Sequence, residues 1–382
     1  MKYFIVAGEA SGDLHASRLI ESIRKEDPEA EFRFLGGDLM TRAAGSRPLI
    51  HYEEMNVMGF SEVLRHLPRI LRQMRQAREM ILSYRPDALI LVDYPSFNLK
   101  LAKSAHKAGI PVHYFISPKI WAWKEHRIKA IRKYVDAMYS ILPFEVEFYR
   151  KRNYEVTYVG NPTVEEMREI ITRIPTREHY LSRQGIDDRR PVIALLPGSR
   201  RGEVRNNLPL MIEAAKRFPD FQYIVGAAPS VPLKFYREVA QDPGLHVVFG
   251  STNLLVKESA AALVTSGTAT LETALLGVPQ VVCYRANGKR ISYKVMERLL
   301  KVRYVSLPNL IADREVVPEL LVHKCTVDNI CESLSPLLQP SPQRDAQLAG
   351  YREISARLGT DSAPARAGRL IVESLQKEKA NT

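Results

Sequence analysis

Short, uninterrupted apolar runs recur along this sequence. Each closes in a loop of glycine or polar residues and is followed by apolar residues at helical spacing. The first is residues 3–7 (YFIVA), which lead into Gly8-Glu9-Ala10-Ser11-Gly12-Asp13 and then Leu14, Leu19, Ile20 and Ile23. Residues 32–35, 88–92, 110–116, 137–142 and 156–159 repeat the pattern. It restarts at 192–196 and continues through 223–226, 247–249, 262–265 and 278–284. A strand that is apolar at every position must be covered on both faces, as in an open parallel sheet with helices on either side. The spacing predicts an α/β chain of doubly wound, Rossmann-like parallel sheets. In such sheets ligands bind outside the carboxyl ends of the strands, so chemistry is expected in the loops after the apolar runs.

The 382 residues allow roughly two to three domains. The charged helical stretch after Gly160-Asn161-Pro162 reads as a link, which gives an N-terminal domain 1–162 and a second domain 163–345. Residues 346–382 read as a helical tail. Two such domains facing each other across a cleft suit transfer between a nucleotide-sugar and an acceptor.

Composition narrows the partners. The net charge of +12 favours anionic ones. No nucleic-acid motif accompanies it, so the charge is assigned to a membrane surface or a phosphorylated substrate. No apolar run approaches the ~18 residues of a membrane span, and the N-terminus is not expected to be a signal peptide. Cys283, Cys325 and Cys331 are odd in number and form no C-x-x-C pair, which suggests reduced thiols and a cytosolic protein.

The loops differ in chemistry. The first lacks a full G-x-G-x-x-G, and Glu9 and Asp13 would repel a pyrophosphate. Acids at this edge suit sugar hydroxyls or acid–base work; Asp13 also reads as a helix cap. The run 88–92 delivers Asp93 beside a proline turn, where partial burial would raise its pKa and suit a general base. A cap for the helix near Asn98 is the alternative. Both tryptophans, Trp121 and Trp123, fall in the turn after 110–116. They could stack on a sugar or pack beneath a loop.

The second half favours phosphate. Gly198, Ser199 and Arg200 combine a glycine–serine turn with a guanidinium that can bind phosphate in a bidentate manner. Ser266, Gly267, Thr268, Ala269 and Thr270 form a small-residue junction before a helix, where N–H groups can approach an anion. An ordinary Ser/Thr-capped junction is the alternative there. Glu272, about one turn into that helix, can accept hydrogen bonds from sugar hydroxyls. The polar loop 304–309, ending at Asn309, is expected to face the same cleft. There is no D-x-D in the chain, so no metal or other cofactor is expected. Arginine and helix dipoles would stabilise the leaving group instead.

One segment is unusual. Val57, Met58, Phe60, Leu64 and Leu67 recur at helical spacing, punctuated by Arg65, Arg69, Arg72, Arg75 and Arg78. A basic amphipathic helix can lie in an anionic bilayer interface. It can equally pack on the sheet with a solvated basic face.

Together the motifs GEASGD (8–13), VD-x-P-x-FN (92–98), SP-x-x-WAW (117–123), LPFE (142–145), VGNP (159–162), LLPGSR (195–200), SGTATLE (266–272) and YVSLPNL (304–310) resemble the lipid-A-disaccharide synthase family. The resemblance implies a GT-B type fold and glycosyltransferase family 19. It implies inverting transfer of 2,3-diacylglucosamine from its UDP form to the 6-hydroxyl of 2,3-diacylglucosamine 1-phosphate. The products would be the lipid A disaccharide 1-phosphate and UDP, with the UDP-sugar as substrate and no cofactor. Asp93 matches the family's general base and Glu9 its essential acid. Arg200 lies near the diphosphate, Ser266, Gly267, Thr268 and Thr270 match the phosphate loop, and Glu272 contacts the ribose. The same resemblance implies that Asn309 stands beside the nucleotide. Many members carry a second acid where Ser96 stands here, so Asp93 acts without it. Acylated substrates imply a cytoplasmic protein, peripheral on the inner face of the inner membrane, with the basic helix meeting anionic lipid and acyl chains. In the family the C-terminal helices return to the first domain and can swap between protomers, so the resemblance implies that the tail 346–382 returns to the first domain, and a homodimer is an open expectation. Two other readings stand beside this one: a UDP-sugar 2-epimerase of the same fold, and a non-catalytic membrane-surface binding protein.

Overall fold

The computed structural model describes residues 1–55, 67–172, 177–186, 188–285 and 303–380. The chain forms two compact units, one of Met1–Pro162 with Thr360–Thr382 and one of Thr163–Gly359.

The first unit holds a seven-stranded sheet: β1 (Lys2–Ala7), β2 (Glu31–Gly36), β3 (Ile50–His51), β4 (Ala88–Val92), β5 (Val112–Phe115), β6 (Ala137–Ser140) and β7 (Thr157–Tyr158). All neighbours are parallel, in the order β3-β2-β1-β4-β5-β6-β7. Successive side chains of a strand point to opposite faces. Tyr3, Ile5, Ala7, Ile90 and Val92 therefore enter one core, and Phe4, Val6, Leu89 and Leu91 the other. Full burial on both sides explains the unbroken apolar runs. β3 is a two-residue edge strand without such a run, so periodicity did not reveal it.

The first core is closed by the helices Ala10–Glu26 and Ala363–Ala380. Ile371, Val372 and Leu375 are buried there, each worth about 1.5–3 kcal/mol relative to exposure. The two helices approach closely, since a Cβ on Gly368 would lie 2.4 Å from Ser22 Oγ. The preceding helix, Pro342–Leu358, stays with the second unit. Its Gln347 and Tyr351 are hydrogen-bonded to Gln280, and Gly359 (φ 70°) breaks the chain after it. The tail expected from 346 thus joins the first unit only from Thr360.

The other core is covered partly by the helix Leu67–Tyr84. Gln73, Ala77 and Ile81 are buried, while Arg69, Arg72, Arg75 and Arg78 are exposed. This part is a helix packed on the sheet with its arginines on the exposed face, a face that both readings above share. Val57, Met58, Phe60, Leu64 and Arg65 lie outside the described residues. Among the described residues no helix is long and apolar enough to cross a membrane.

The second unit holds a six-stranded parallel sheet: β8 (Val192–Leu196), β9 (Gln222–Ala227), β10 (Val247–Phe249), β11 (Ala261–Val264), β12 (Gln280–Tyr284) and β13 (Glu319–Leu321). Its order is β10-β9-β8-β11-β12-β13. Here too the apolar strands feed two cores, Ile193 and Leu195 on one face and Val192, Ala194 and Leu196 on the other. β13, like β3, is a short edge strand without an apolar run to announce it.

Both sheets reverse their strand order once, at β1/β4 and at β8/β11. Ala7 pairs with Val92 and Leu196 pairs with Val264. The loops that start at Gly8 and Asp93 therefore leave the first sheet side by side, and those that start at Pro197 and Thr265 leave the second side by side. These switch points are where a doubly wound sheet opens a crevice for ligands.

Candidate active site

In the first unit, Asp93 leaves β4 one strand over from Glu9. Asp93 and Tyr94 both have positive φ, 44° and 48°, which turns the chain sharply into the helix Pro95–Lys107. Non-glycine residues persist in this region only when their surroundings hold them there. Asn98 Nδ2 donates to Asp93 O at 2.7 Å and to Val92 O at 3.2 Å, and the Tyr114 hydroxyl also donates to Asp93 O. Burial pushes the Asp93 carboxyl up to about 6; the Lys119 charge opposes this and the Glu9 charge adds to it. That is the working range of a general base. Glu9 is half-buried and accepts from Ser11 Oγ at 3.2 Å.

Asp13 is buried and accepts from the N–H groups of Gly37 (2.7 Å), Leu39 (3.0 Å) and Met40 (3.1 Å). It caps the helix Asp38–Ala44, which the chain reaches only after β2. Its role is structural.

Glu145 has a role that spacing did not suggest. It lies in the first turn of the helix Pro143–Arg150 and is buried. It accepts from Ser117 Oγ (2.5 Å), Ser140 Oγ (2.5 Å) and Trp121 Nε1 (2.8 Å). Burial pushes its carboxyl up to about 6, against the pull of those donors and of Lys119. The turn carrying both tryptophans is thus fastened to a buried carboxylate. The visible signal was an acid beside Pro143; its partners sit in other loops.

In the second unit, a cavity of about 890 Å³ opens at the carboxyl edge of β8 and β11. Gly198, Ser199, Arg200, Ser266, Gly267, Thr268 and Glu272 all line it. The helix Thr268–Leu275 begins at the cavity behind Gly267 (φ 149°), and no side chain caps its N-terminus. Its first N–H groups and dipole therefore favour an anion. Ser266 Oγ donates to Val305 O at 3.1 Å. Burial, reinforced by the negative charge of Glu166, pushes the Glu272 carboxyl up to about 7.

Three expectations change here. First, the N–H groups of Ser199 and Arg200 are already bonded to Glu203 Oε2, at 2.9 and 3.3 Å. What this turn offers an anion is the Arg200 guanidinium, whose side chain is 75% exposed and meets Glu203 Oε1 only at 3.5 Å. Second, Thr270 is buried, and its hydroxyl donates back to Gly267 O at 2.8 Å. It braces the loop and does not line the cavity. Third, Asn309 is fully buried and hydrogen-bonded on all sides. Its Nδ2 donates to Val317 O and Glu319 Oε1, both at 2.9 Å, and its Oδ1 accepts from Val316 N (2.7 Å) and Val317 N (2.9 Å). With its donors and acceptors all engaged, Asn309 locks the loop before β13 and has nothing left for a nucleotide.

The profile of the family described as lipid-A-disaccharide synthetase matches residues 3–367. The lipid-A-disaccharide synthase of Myxococcus xanthus is 41% identical over 380 residues, which cover 98% of this chain and 97% of that protein. The one from Koribacter versatilis is 36% identical over 388 residues, covering 99% and 100%. Among solved structures, the UDP-GlcNAc 2-epimerase from Neisseria meningitidis bound to UDP-GlcNAc aligns with a TM-score of 0.61 at 15% identity, covering 99% and 100%. The glycotransferase of kitacinnamycin aligns with a TM-score of 0.60 at 14% identity, covering 98% of each chain. At such identities the likeness shows the fold alone, and that fold is of GT-B type.

Proposed function

This chain belongs to the lipid-A-disaccharide synthase family, and from that membership we propose how its residues divide the reaction. The enzyme is a glycosyltransferase. It moves 2,3-diacylglucosamine from its UDP form to the 6-hydroxyl of 2,3-diacylglucosamine 1-phosphate, giving the lipid A disaccharide 1-phosphate and UDP.

In the proposal, the first unit handles the acceptor and the second holds the donor. Asp93 takes the proton of the acceptor 6-hydroxyl as that oxygen attacks the anomeric carbon in line. The bond from the anomeric carbon to the UDP oxygen breaks as the new glycosidic bond forms, which inverts the centre. Negative charge then grows on the departing diphosphate. Arg200 and the N-terminus of the helix Thr268–Leu275, entered through Ser266 and Gly267, stabilise that charge, with no step through a metal. Glu272 accepts from the ribose hydroxyls. Burial keeps the base's pKa high, the Glu9 charge adds to it, and Glu9 bonds the acceptor sugar. Because both substrates are acylated, the proposal also places the enzyme on an anionic membrane surface, at the cytoplasmic face of the inner membrane.

The observation that carries this division is Asp93 at the β1/β4 switch point, its carboxyl pushed up to about 6. A UDP-release assay with and without acylated acceptor tests it. Release that depends on the acceptor and is lost in Asp93→Ala, with UDP binding kept, is expected. Consumption of the UDP-sugar without acceptor would favour the epimerase reading, and no consumption at all a binding protein.

A further inference from the structure

We propose that Arg127 and Lys124, framed by Trp123 and Ser96, bind the 1-phosphate of the acceptor sugar. The proposal rests on the reading above, in which the acceptor is a sugar 1-phosphate.

The turn after β5 leaves the sheet beside the Asp93 turn, since Val92 pairs with Phe115. Its start is held by the Glu145 network described above. Beyond that anchor Trp123 is 54% exposed. Lys124 takes a left-handed conformation (φ 56°), and its ammonium lies 4.2 Å from the Trp123 ring centroid. The Arg127 guanidinium lies 5.7 Å from the same centroid. Arg127 also donates to Ser96 Oγ at 2.7 Å, and Ser96 stands in the first turn of the helix that Asp93 leads into.

Stacking on an indole accounts for one cation here, but not for two. Arg127 depresses the pKa of Lys124, behind the larger effect of burial, so the pair repel each other. The adjacent acid does not neutralise them: Glu125 is bonded to Arg152 at 2.9 and 2.7 Å. Among the described residues neither cation is ion-paired. Two unneutralised cations, a hydroxyl and an indole face make a site for a phosphate monoester on a sugar. The guanidinium supplies a planar fork of donors and the ammonium a compact charge.

The spacing also fits the reaction. In a hexopyranose, C1 and the carbon bearing C6 flank the ring oxygen, so a 1-phosphate lies a few ångströms from the 6-hydroxyl. Asp93 must receive the proton of that hydroxyl, and the Ser96–Arg127 pair stands next to Asp93 on the same sheet edge.

The test is transfer in mixed micelles to two acceptors with the same acyl chains, one with the 1-phosphate and one without. Wild type should prefer the phosphorylated acceptor by about 100-fold in kcat/KM, as charged hydrogen bonds imply. Arg127→Ala should reduce kcat/KM for the phosphorylated acceptor by about 10–100-fold, mainly through KM. It should change the other acceptor by no more than about threefold and leave the KM for the UDP-sugar unchanged. Lys124→Ala, on an exposed side chain that folding does not need, should shrink the same preference by about 3–10-fold. A preference kept intact in both variants, or absent from wild type, overturns the site. Failure of wild type to transfer to either acceptor would instead overturn the reading of the reaction, and the site with it.

Discussion

Gly8 lies against the ring of Tyr94, and a Cβ at position 8 would stand 2.3 Å from Tyr94 Cδ1. Tyr94 follows the proposed base, has a positive φ and donates from its hydroxyl to Met55 O at 3.2 Å. Glycine at the head of the first loop is thus required by close approach to the Asp93 turn. Gly8→Ala should displace Tyr94, cost about 1–3 kcal/mol as overpacking and lower transfer by at least about tenfold through the shifted base. Adding Tyr94→Ala should recover most of the stability in urea unfolding. A double variant no more stable than Gly8→Ala would remove this explanation.

The Asp93 carboxyl links activity to pH. It must be ionised to accept a proton, so kcat/KM should fall as pH drops below about 6. Asp93→Asn should lower kcat by about 10²–10⁴-fold and erase that acid limb. Stability runs the opposite way. The folded-state pKa is raised, so burying the ionised form is unfavourable; this cost is full above about 6 and fades as pH falls toward 3.8. Asp93→Asn should therefore raise the unfolding free energy at pH 8 by on the order of 1 kcal/mol after solvent screening, and give little gain at pH 4. A variant with wild-type turnover would end the base assignment.

Asn309 and Arg200 should separate stability from nucleotide affinity. Asn309→Ala strands the N–H groups of Val316 and Val317 and leaves Val317 O without that donor, at a cost of about 2–4 kcal/mol. Arg200→Ala removes an exposed side chain and should cost no more than about 0.5 kcal/mol, while weakening UDP binding by about 10–100-fold. Denaturant unfolding and calorimetric titration with UDP read the two effects. An Asn309→Ala protein of full stability that has lost UDP would restore Asn309 as a nucleotide ligand.

Glu145 can be followed by fluorescence, because Trp121 and Trp123 are the two tryptophans of the chain. Glu145→Ala leaves the Ser117 hydroxyl and the Trp121 Nε1–H without their acceptor, while Ser140 Oγ keeps Leu142 O, and should destabilise by about 2–4 kcal/mol. In a Trp123→Phe background the Trp121 emission should shift to the red. Glu145→Gln keeps the volume and one acceptor oxygen, so a smaller loss and a smaller shift are expected. Unchanged emission in Glu145→Ala would show that the carboxylate does not hold the turn.

The sequence alone determined the two doubly wound sheets, because strands buried on both faces must be apolar at every position. It also singled out the loops to which the chemistry is assigned in the proposal: those after β1, β4, β8 and β11 each follow an apolar run and contain acids, glycines or arginine. The edge strands β3 and β13 escaped because they lack such a run. Tertiary structure decided which polar groups in those loops remain free to bind. Asp13 is taken up by the helix Asp38–Ala44, Asn309 by the segment before β13, and the Ser199 and Arg200 amides by Glu203. The physical reason is that a donor or acceptor already engaged within the protein is not available to a ligand, and that engagement is set by the folded geometry, over 24 residues for Asp13 and Gly37 and over only four for Ser199 and Glu203. The same pairing brought Glu145 to Trp121 and Arg127 to Ser96, relations that neither periodicity nor a local motif records.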